Sequence, residues 1–372
     1  MGVSSYLGVS SFMRVLFWMD GGSRVPGGHL IQAEQTAIAV RRRGIEAIVS
    51  HGEKQDLNGF DLVHGFGLPP RHLRSCRDHG VPIVMSTIYW SRDYYTGLTP
   101  EANWVEQFLH RLRMAFVLSR SAVWGVHVSK CEMLARQVTD FRVRYEMADL
   151  LLPNSEAEAE AIRSDLGVTT PHMVVPNGVN TDFVGEMAAD SERSGVLYVG
   201  RFEPHKNQLG LIKAMAGSDI PVRLVGPLHP DHRDYYEECR RLARQNISIE
   251  PAVPYEQLPM LYRQAKVHVL PSWFETIGLV SLEAAVNGCN VVTTRRGYAS
   301  DYLRDMAWYC DPGQKGSIRN AICAAYHAPF RMDLRQHILN RFTWNHAAEA
   351  TVRAYNSVVR GSARTEFDRS GN

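Results

Sequence analysis

No run of 18 apolar residues occurs in this 372-residue chain, so no transmembrane helix is expected. The longest candidate, Leu112 to Val128, is broken by Arg113, Ser119, Arg120 and Ser121. A large excess of charge of one sign is also missing. The formal net charge of +2 gives no strong nucleic-acid signal. The six cysteines, Cys76, Cys131, Cys239, Cys289, Cys310 and Cys323, lack C-x-x-C spacing, which argues against a zinc or redox site and suits a reducing compartment. The N-terminus has no cationic segment followed by an apolar core, so no secretion signal is read there, and Tyr6 breaks the myristoylation pattern after Met1-Gly2. Met13, just before the first strand, is an alternative start. There is no low-complexity tract and no repeat beyond two similar α/β halves.

What is present is ample apolar material, 45% of residues, enough for two cores in a chain of this length. Strand signals at Arg14 to Met19, Ala47 to Ser50, Leu62 to His64, Ile83 to Ser86, Leu150 to Pro153 and Met173 to Val175 alternate with helical stretches, which predicts a mainly parallel sheet. Gly21 to Gly28 is a flexible loop opening onto a helix from about His29 to Arg43. Gly185 to Ser194, small and charged, reads as a linker. Residues 1–190 carry 18 basic and 21 acidic groups and residues 191–372 carry 23 and 18, so the second half is the more positive.

The densest chemistry lies in Pro271-Ser272-Trp273-Phe274-Glu275-Thr276-Ile277-Gly278-Leu279-Val280-Ser281-Leu282-Glu283. Two glutamates with seven residues between them straddle a Gly-containing turn between a strand and a helix about two turns deep at Glu283. Glu275 is placed to accept hydrogen bonds from sugar hydroxyls and Glu283 to grip a ribose diol. The backbone N–H groups of Thr276, Ile277, Gly278 and Leu279 would meet a diphosphate at the positive end of the helix dipole. Upstream, Gly200-Arg201-Phe202-Glu203-Pro204-His205-Lys206-Asn207 offers a guanidinium fork and a mobile ammonium, both able to neutralise a leaving diphosphate.

These blocks resemble the E-x7-E and G-R-x(4)-K-N signatures of the GT4 family of retaining glycosyltransferases. Pro176-Asn177-Gly178-Val179-Asn180 is similar to the family's P-N-G-V-D block, with Asn180 for the usual aspartate. The resemblance implies the GT-B architecture: two Rossmann-like α/β domains facing a central cleft, with a C-terminal helix crossing back to the first. The expected division is a disordered extension at 1–12, an acceptor-binding domain at 13–184, the linker at 185–194, a nucleotide-sugar-binding domain at 195–340, the crossing helix at 341–360 and a disordered tail at 361–372. It also implies Arg201, Lys206 and Glu275 as catalytic residues. Donor-binding residues would be Gly27, Gly28, Gly200, Asn207, Val253, Thr276, Ile277, Gly278, Leu279 and Glu283, with the base read through backbone near Ala252 and Val253.

The implied reaction moves a sugar from a nucleotide-sugar, UDP-linked first and GDP-linked second, to an acceptor hydroxyl, a hexosyltransferase-like activity of glycan biosynthesis. A nucleotide-sugar epimerase, a glycan phosphorylase and a non-catalytic nucleotide-sugar-binding protein are the alternatives. No D-x-D triplet occurs, so no metal and no cofactor beyond the co-substrate are expected. One departure stands out: after Pro82-Ile83-Val84-Met85, where many relatives carry a histidine, the chain reads Ser86-Thr87-Ile88-Tyr89-Trp90. Ser86, Thr87, Tyr89 and His64 are therefore the acceptor-side candidates. Seven basic residues from Arg111 to Arg144 against Glu132 and Asp140 suggest weak, salt-sensitive contact with an anionic membrane, and a cytoplasmic enzyme at its inner face.

Overall fold

The structure is a computed structural model that describes residues 13–19, 28–52, 54–91, 94, 138–186 and 192–370, with backbone alone beyond residue 360. The expected extension at 1–12, Gly27 and most of the basic stretch from Arg111 lie outside the described residues.

Strands β1 (Arg14–Met19), β2 (Glu46–His51), β3 (Leu62–Phe66), β4 (Ile83–Ser86) and β5 (Leu150–Leu152) form a parallel sheet in the order β2-β1-β3-β4-β5. All five residues of β3 and all four of β4 are buried, as parallel strands covered on both faces require. A second parallel sheet holds β6 (Val196–Val199), β7 (Val222–Val225), β8 (Ile247–Glu250), β9 (Val267–Leu270), β10 (Asn290–Thr294) and β11 (Trp308–Cys310), in the order β11-β10-β9-β6-β7-β8. That is the doubly wound arrangement, and its order reverses between β6 and β9. Ligands of such sheets bind beyond the carboxyl ends of the strands at the reversal.

Helix α1 (Gly28–Arg41) follows β1, and α2 (Pro70–Asp78) and α3 (Glu156–Leu166) complete the labelled helices of the first half. The second half has α4 (Gln208–Met215), α5 (Arg233–Leu242), α6 (Leu258–Gln264), α7 (Leu279–Val286), α8 (Ala299–Leu303), α9 (Lys315–His327) and α10 (Met332–Arg341). The chain then crosses back as α11 (Trp344–Ser370). Ala347, Ala348, Ala350, Ala354 and Tyr355 of α11 share one core with Val15 and Phe17 of β1 and Ala33 and Ala37 of α1. Small alanines on both helices allow the close approach. Where the chain passes between halves, Val179 donates its N–H to Phe342 O (2.8 Å) and its carbonyl accepts the N–H of Trp344 (3.3 Å).

Three expectations change. Met173 to Val175 forms no strand; a single bridge joins His172 to Leu151, and Met173 and Val175 only donate to Leu151 O and Pro153 O. Pro171 and Pro176, which lack the N–H a ladder needs, bracket that segment. Glu283 is the fifth residue of α7, one turn in rather than two. The last helix is assigned to Ser370, past the expected end of the crossing helix at 360.

Candidate active site

Both conspicuous blocks leave the two strands that flank the reversal. The loop after β6 carries Gly200 to Lys206, and the loop after β9 carries Pro271 to Gly278. Lys206 Nζ donates to Glu275 Oε1 at 2.5 Å, with side-chain exposures of 21% and 5%. Burial works against the Glu275 charge, but the Lys206 ammonium outweighs it and holds the carboxyl below its ordinary value. The Glu275 backbone is fixed as well: its N–H donates to Arg296 O (2.9 Å) and its carbonyl accepts from Tyr298 N–H (2.8 Å).

Glu283 behaves differently. Its carboxylate accepts from the hydroxyls of Tyr255 (2.7 Å) and Tyr262 (3.2 Å), and burial pushes it up to about 7 despite both bonds. One motif thus holds one carboxylate charged and another near its titration point.

Arg201 is partly exposed and, among the described residues, its side chain bonds Glu203 within its own loop, at 3.3 Å. Gly200 prolongs β6, donating to Val225 O at 3.0 Å. Across the cleft, the start of α1 meets the start of α7: a Cβ on Gly28 would lie 4.0 Å from Leu279 Cδ1. His29, next on α1, is lowered by burial and by the nearby Arg201 charge. Two helix N-termini and two cations therefore converge on one space. The N–H groups of helix starts and the positive dipole ends there favour an anion. Gly278, in the left-handed region at φ 73°, caps α7 without a side-chain bond.

Several expected donor residues have other duties. Asn207 is buried, and its amide donates to Pro271 O (3.0 Å) and Pro312 O (2.9 Å), so it ties the two loops together. Ile277 is buried in the core beside Val179 and offers only backbone. Thr276 lies on the loop at intermediate exposure, and Val253 packs half-buried against Leu258 and Tyr262.

The acceptor-side candidates are corrected more sharply. Thr87 Oγ1 and the Tyr89 N–H both donate to Glu158 Oε1 (2.9 and 2.8 Å), and the Tyr89 hydroxyl bonds Asp165 (3.1 Å). Thr87 and Tyr89 are both buried, at 0% and 2% exposure, so neither side chain is open to solvent. Ser86 Oγ lies 2.8 Å from His64 Nε2, whose Nδ1 meets the Tyr355 hydroxyl at 2.7 Å. Burial lowers His64 to about 3, so this chain is neutral. The side chain that does reach the cleft is Trp90, which stacks on His205 with ring centroids 4.3 Å apart. Sequence reasoning missed Trp90, Tyr94, His205 and the buried Glu158; the one available signal was an uncommon run of aromatics just after β4.

Of the basic stretch, only its end is described, where Arg142 pairs with Glu146 and Arg144 with Asp140. Among the described residues no helix is long and apolar enough to cross a membrane, and no cluster of three metal-ligating side chains occurs.

Two facing doubly wound domains with a returning terminal helix are the GT-B architecture. Sucrose-phosphate synthase from Thermosynechococcus elongatus has the same fold, with a TM-score of 0.71 at 16% identity over 94% of this chain and all of that one. Anabaena HepE in complex with UDP and glucose gives 0.67 at 16% identity, over 93% of this chain and 100% of its own. Residues 181–341 match the family of glycosyl transferases group 1. The D-inositol 3-phosphate glycosyltransferase of Arthrobacter sp. (strain FB24) is 25% identical over 338 residues, covering 80% of this chain and 76% of the relative. The protein of that name from Acidothermus cellulolyticus is 28% identical over 252 residues, covering 57% of this chain and 54% of the relative, so there the match spans about half its length. The chain thus has the GT-B fold, and its second half is similar to glycosyl transferases group 1.

Proposed function

We propose that the protein transfers a sugar from a nucleotide-sugar to an acceptor hydroxyl with retention of configuration and without a metal ion. The observation that carries this reading is the convergence of Arg201, the Lys206–Glu275 pair and the starts of α1 and α7 at the strand-order reversal. A diphosphate fits that space by charge. Arg201 and Lys206 stabilise the negative charge that grows on it as the glycosidic bond breaks, which is where preorganised charge accelerates most. Glu275, kept ionised, accepts from a donor-sugar hydroxyl once Lys206 turns to the phosphate. Glu283 and its two tyrosine hydroxyls lie one turn deeper in α7, on the ribose side.

UDP is the first donor nucleotide to test and GDP the second; Anabaena HepE, of the same fold, binds UDP-glucose. The curated relatives' name makes inositol 3-phosphate the first acceptor to try. Titration calorimetry with UDP, GDP and ADP, followed by proton NMR of UDP-glucose with and without inositol 3-phosphate, tests the reading. Binding of one nucleotide and an axial product linkage from an axial donor support it. Conversion of the donor sugar without acceptor would make the protein an epimerase, phosphate-dependent turnover a phosphorylase, and binding without turnover a nucleotide-sugar-binding protein.

A further inference from the structure

Trp90 and Tyr94 follow β4 of the first sheet, yet their partners belong to the second. Trp90 lies nearly parallel to His205, at 16° with centroids 4.3 Å apart, and Tyr94 meets the same ring edge-on while its hydroxyl sits 3.1 Å from His205 Nδ1. Both aromatics also contact Phe274, Trp90 at 6.1 Å and Tyr94 at 5.5 Å. Phe274 in turn meets Tyr298 edge-on at 5.3 Å. The His205 carbonyl accepts the N–H of Trp273 at 3.0 Å, which joins the two site loops directly behind the rings.

The position of these second-domain rings matters. His205 immediately precedes Lys206 and Phe274 immediately precedes Glu275, so the rings gripped by the first domain are chain neighbours of the ion pair at the centre of the site. Separating the two domains here would free His205 and Phe274 on the side that faces β4.

Resting on the transfer reading above, we propose that Trp90 and Tyr94 are positioning residues: by packing on His205 and Phe274 they hold the cleft closed and keep Lys206 and Glu275 in register for transfer. They touch neither the diphosphate nor the sugar in this scheme; they act through the two loops. Closure of this kind excludes water and completes the catalytic constellation. Each aromatic pair that crosses between the domains biases an open–closed equilibrium by roughly two- to tenfold, and Trp90 contributes to two of them. His205 accepts the Tyr94 proton as a neutral ring, the state its burial and the adjacent cations favour.

The test compares wild type with Trp90→Ala, Trp90→Phe and Tyr94→Phe in three measurements: small-angle scattering of the ligand-free protein, the dissociation constant for UDP, and hydrolysis of UDP-glucose. Trp90→Ala is expected to raise the radius of gyration, leave UDP affinity within about twofold, since the nucleotide meets the second domain, and lower kcat by about tenfold or more. Trp90→Phe, which keeps a ring on His205, should recover most of that loss. Tyr94→Phe should lower kcat by roughly threefold with the shape unchanged. Unchanged scattering and turnover in Trp90→Ala would overturn the proposal, as would a UDP affinity that falls in step with kcat, the mark of general damage to the domain. Failure of the wild type to bind UDP, GDP or ADP would refute the functional reading alone; the scattering comparison would still decide whether the aromatic contacts hold the domains together.

Discussion

Replacing Lys206 should test stability and catalysis together. Its ammonium sits 2.5 Å from a Glu275 carboxylate whose side chain is only 5% exposed. In Lys206→Ala that carboxylate stays buried with its closest counter-charge gone. Removing one partner of a buried ion pair costs about 3–5 kcal/mol. Because Lys206 itself keeps some solvent access, the lower end applies. For a domain of this size each kcal/mol moves Tm by about 2–4 °C, so a loss of roughly 6–12 °C is expected by calorimetry. Glu275→Gln removes the charge and should cost less. The double variant Lys206→Ala/Glu275→Gln should recover roughly half or more of the loss, giving a positive coupling in a double-mutant cycle. The pH dependence has a definite sign. Glu275 is held below its ordinary 4.5 in the folded wild type, so its contribution is present above that pH and is lost as pH falls through the folded value. Without Lys206, burial prevails and the carboxyl takes up a proton, so the gap between variant and wild type narrows in acid. A Tm within about 2 °C of wild type at neutral pH, or a double variant no more stable than Lys206→Ala, would refute the reasoning.

Three further outcomes are expected. Arg201→Ala removes a partly exposed side chain paired with Glu203 of its own loop, so stability should stay near wild type while turnover drops by about 10²–10³, read by steady-state kinetics beside a melting curve. Gly297→Ala puts a methyl group 2.0 Å from Glu275 O at a φ of +109°; it should destabilise by about 1–3 kcal/mol or more in urea titration and disturb Glu275, and a neutral effect would contradict the strand-like pairing there. Stability against pH should peak near 6.5: His64, His205 and His268 are lowered to about 3, 4 and 3, so their contribution is lost as pH falls from 6.5, whereas Glu158 and Glu283, raised to about 7, add stability as pH falls from 7. The lowered histidines outnumber the raised carboxyls, so a net loss of stability is expected as pH falls below 6.5; a flat or rising profile on acidification would contradict it.

The sequence by itself determined the architecture and the loops on which the proposed site residues fall. Val15 to Met19 and Ile83 to Ser86 are unbroken apolar or small runs of strand length, and they lie in β1 and β4. Arg201, Lys206 and Glu275 were legible because their spacing follows the turns that end β6 and β9, a local property of strand, loop and helix start. Direction beyond those turns was not local. Thr87 and Tyr89 read as acceptor-side residues, and the Thr87 hydroxyl and the Tyr89 N–H both donate to the buried Glu158 on α3. Asn207 read as a ligand for the donor, and tertiary packing made it a tie between Pro271 and Pro312, residues 64 and 105 positions away. The Lys206–Glu275 pair spans 69 residues, and the Trp90–His205 stack joins two sheets. Spacing along a chain fixes which groups a turn presents; only the packing of one sheet against the other decides which of them meet, which stay charged and which face the cleft.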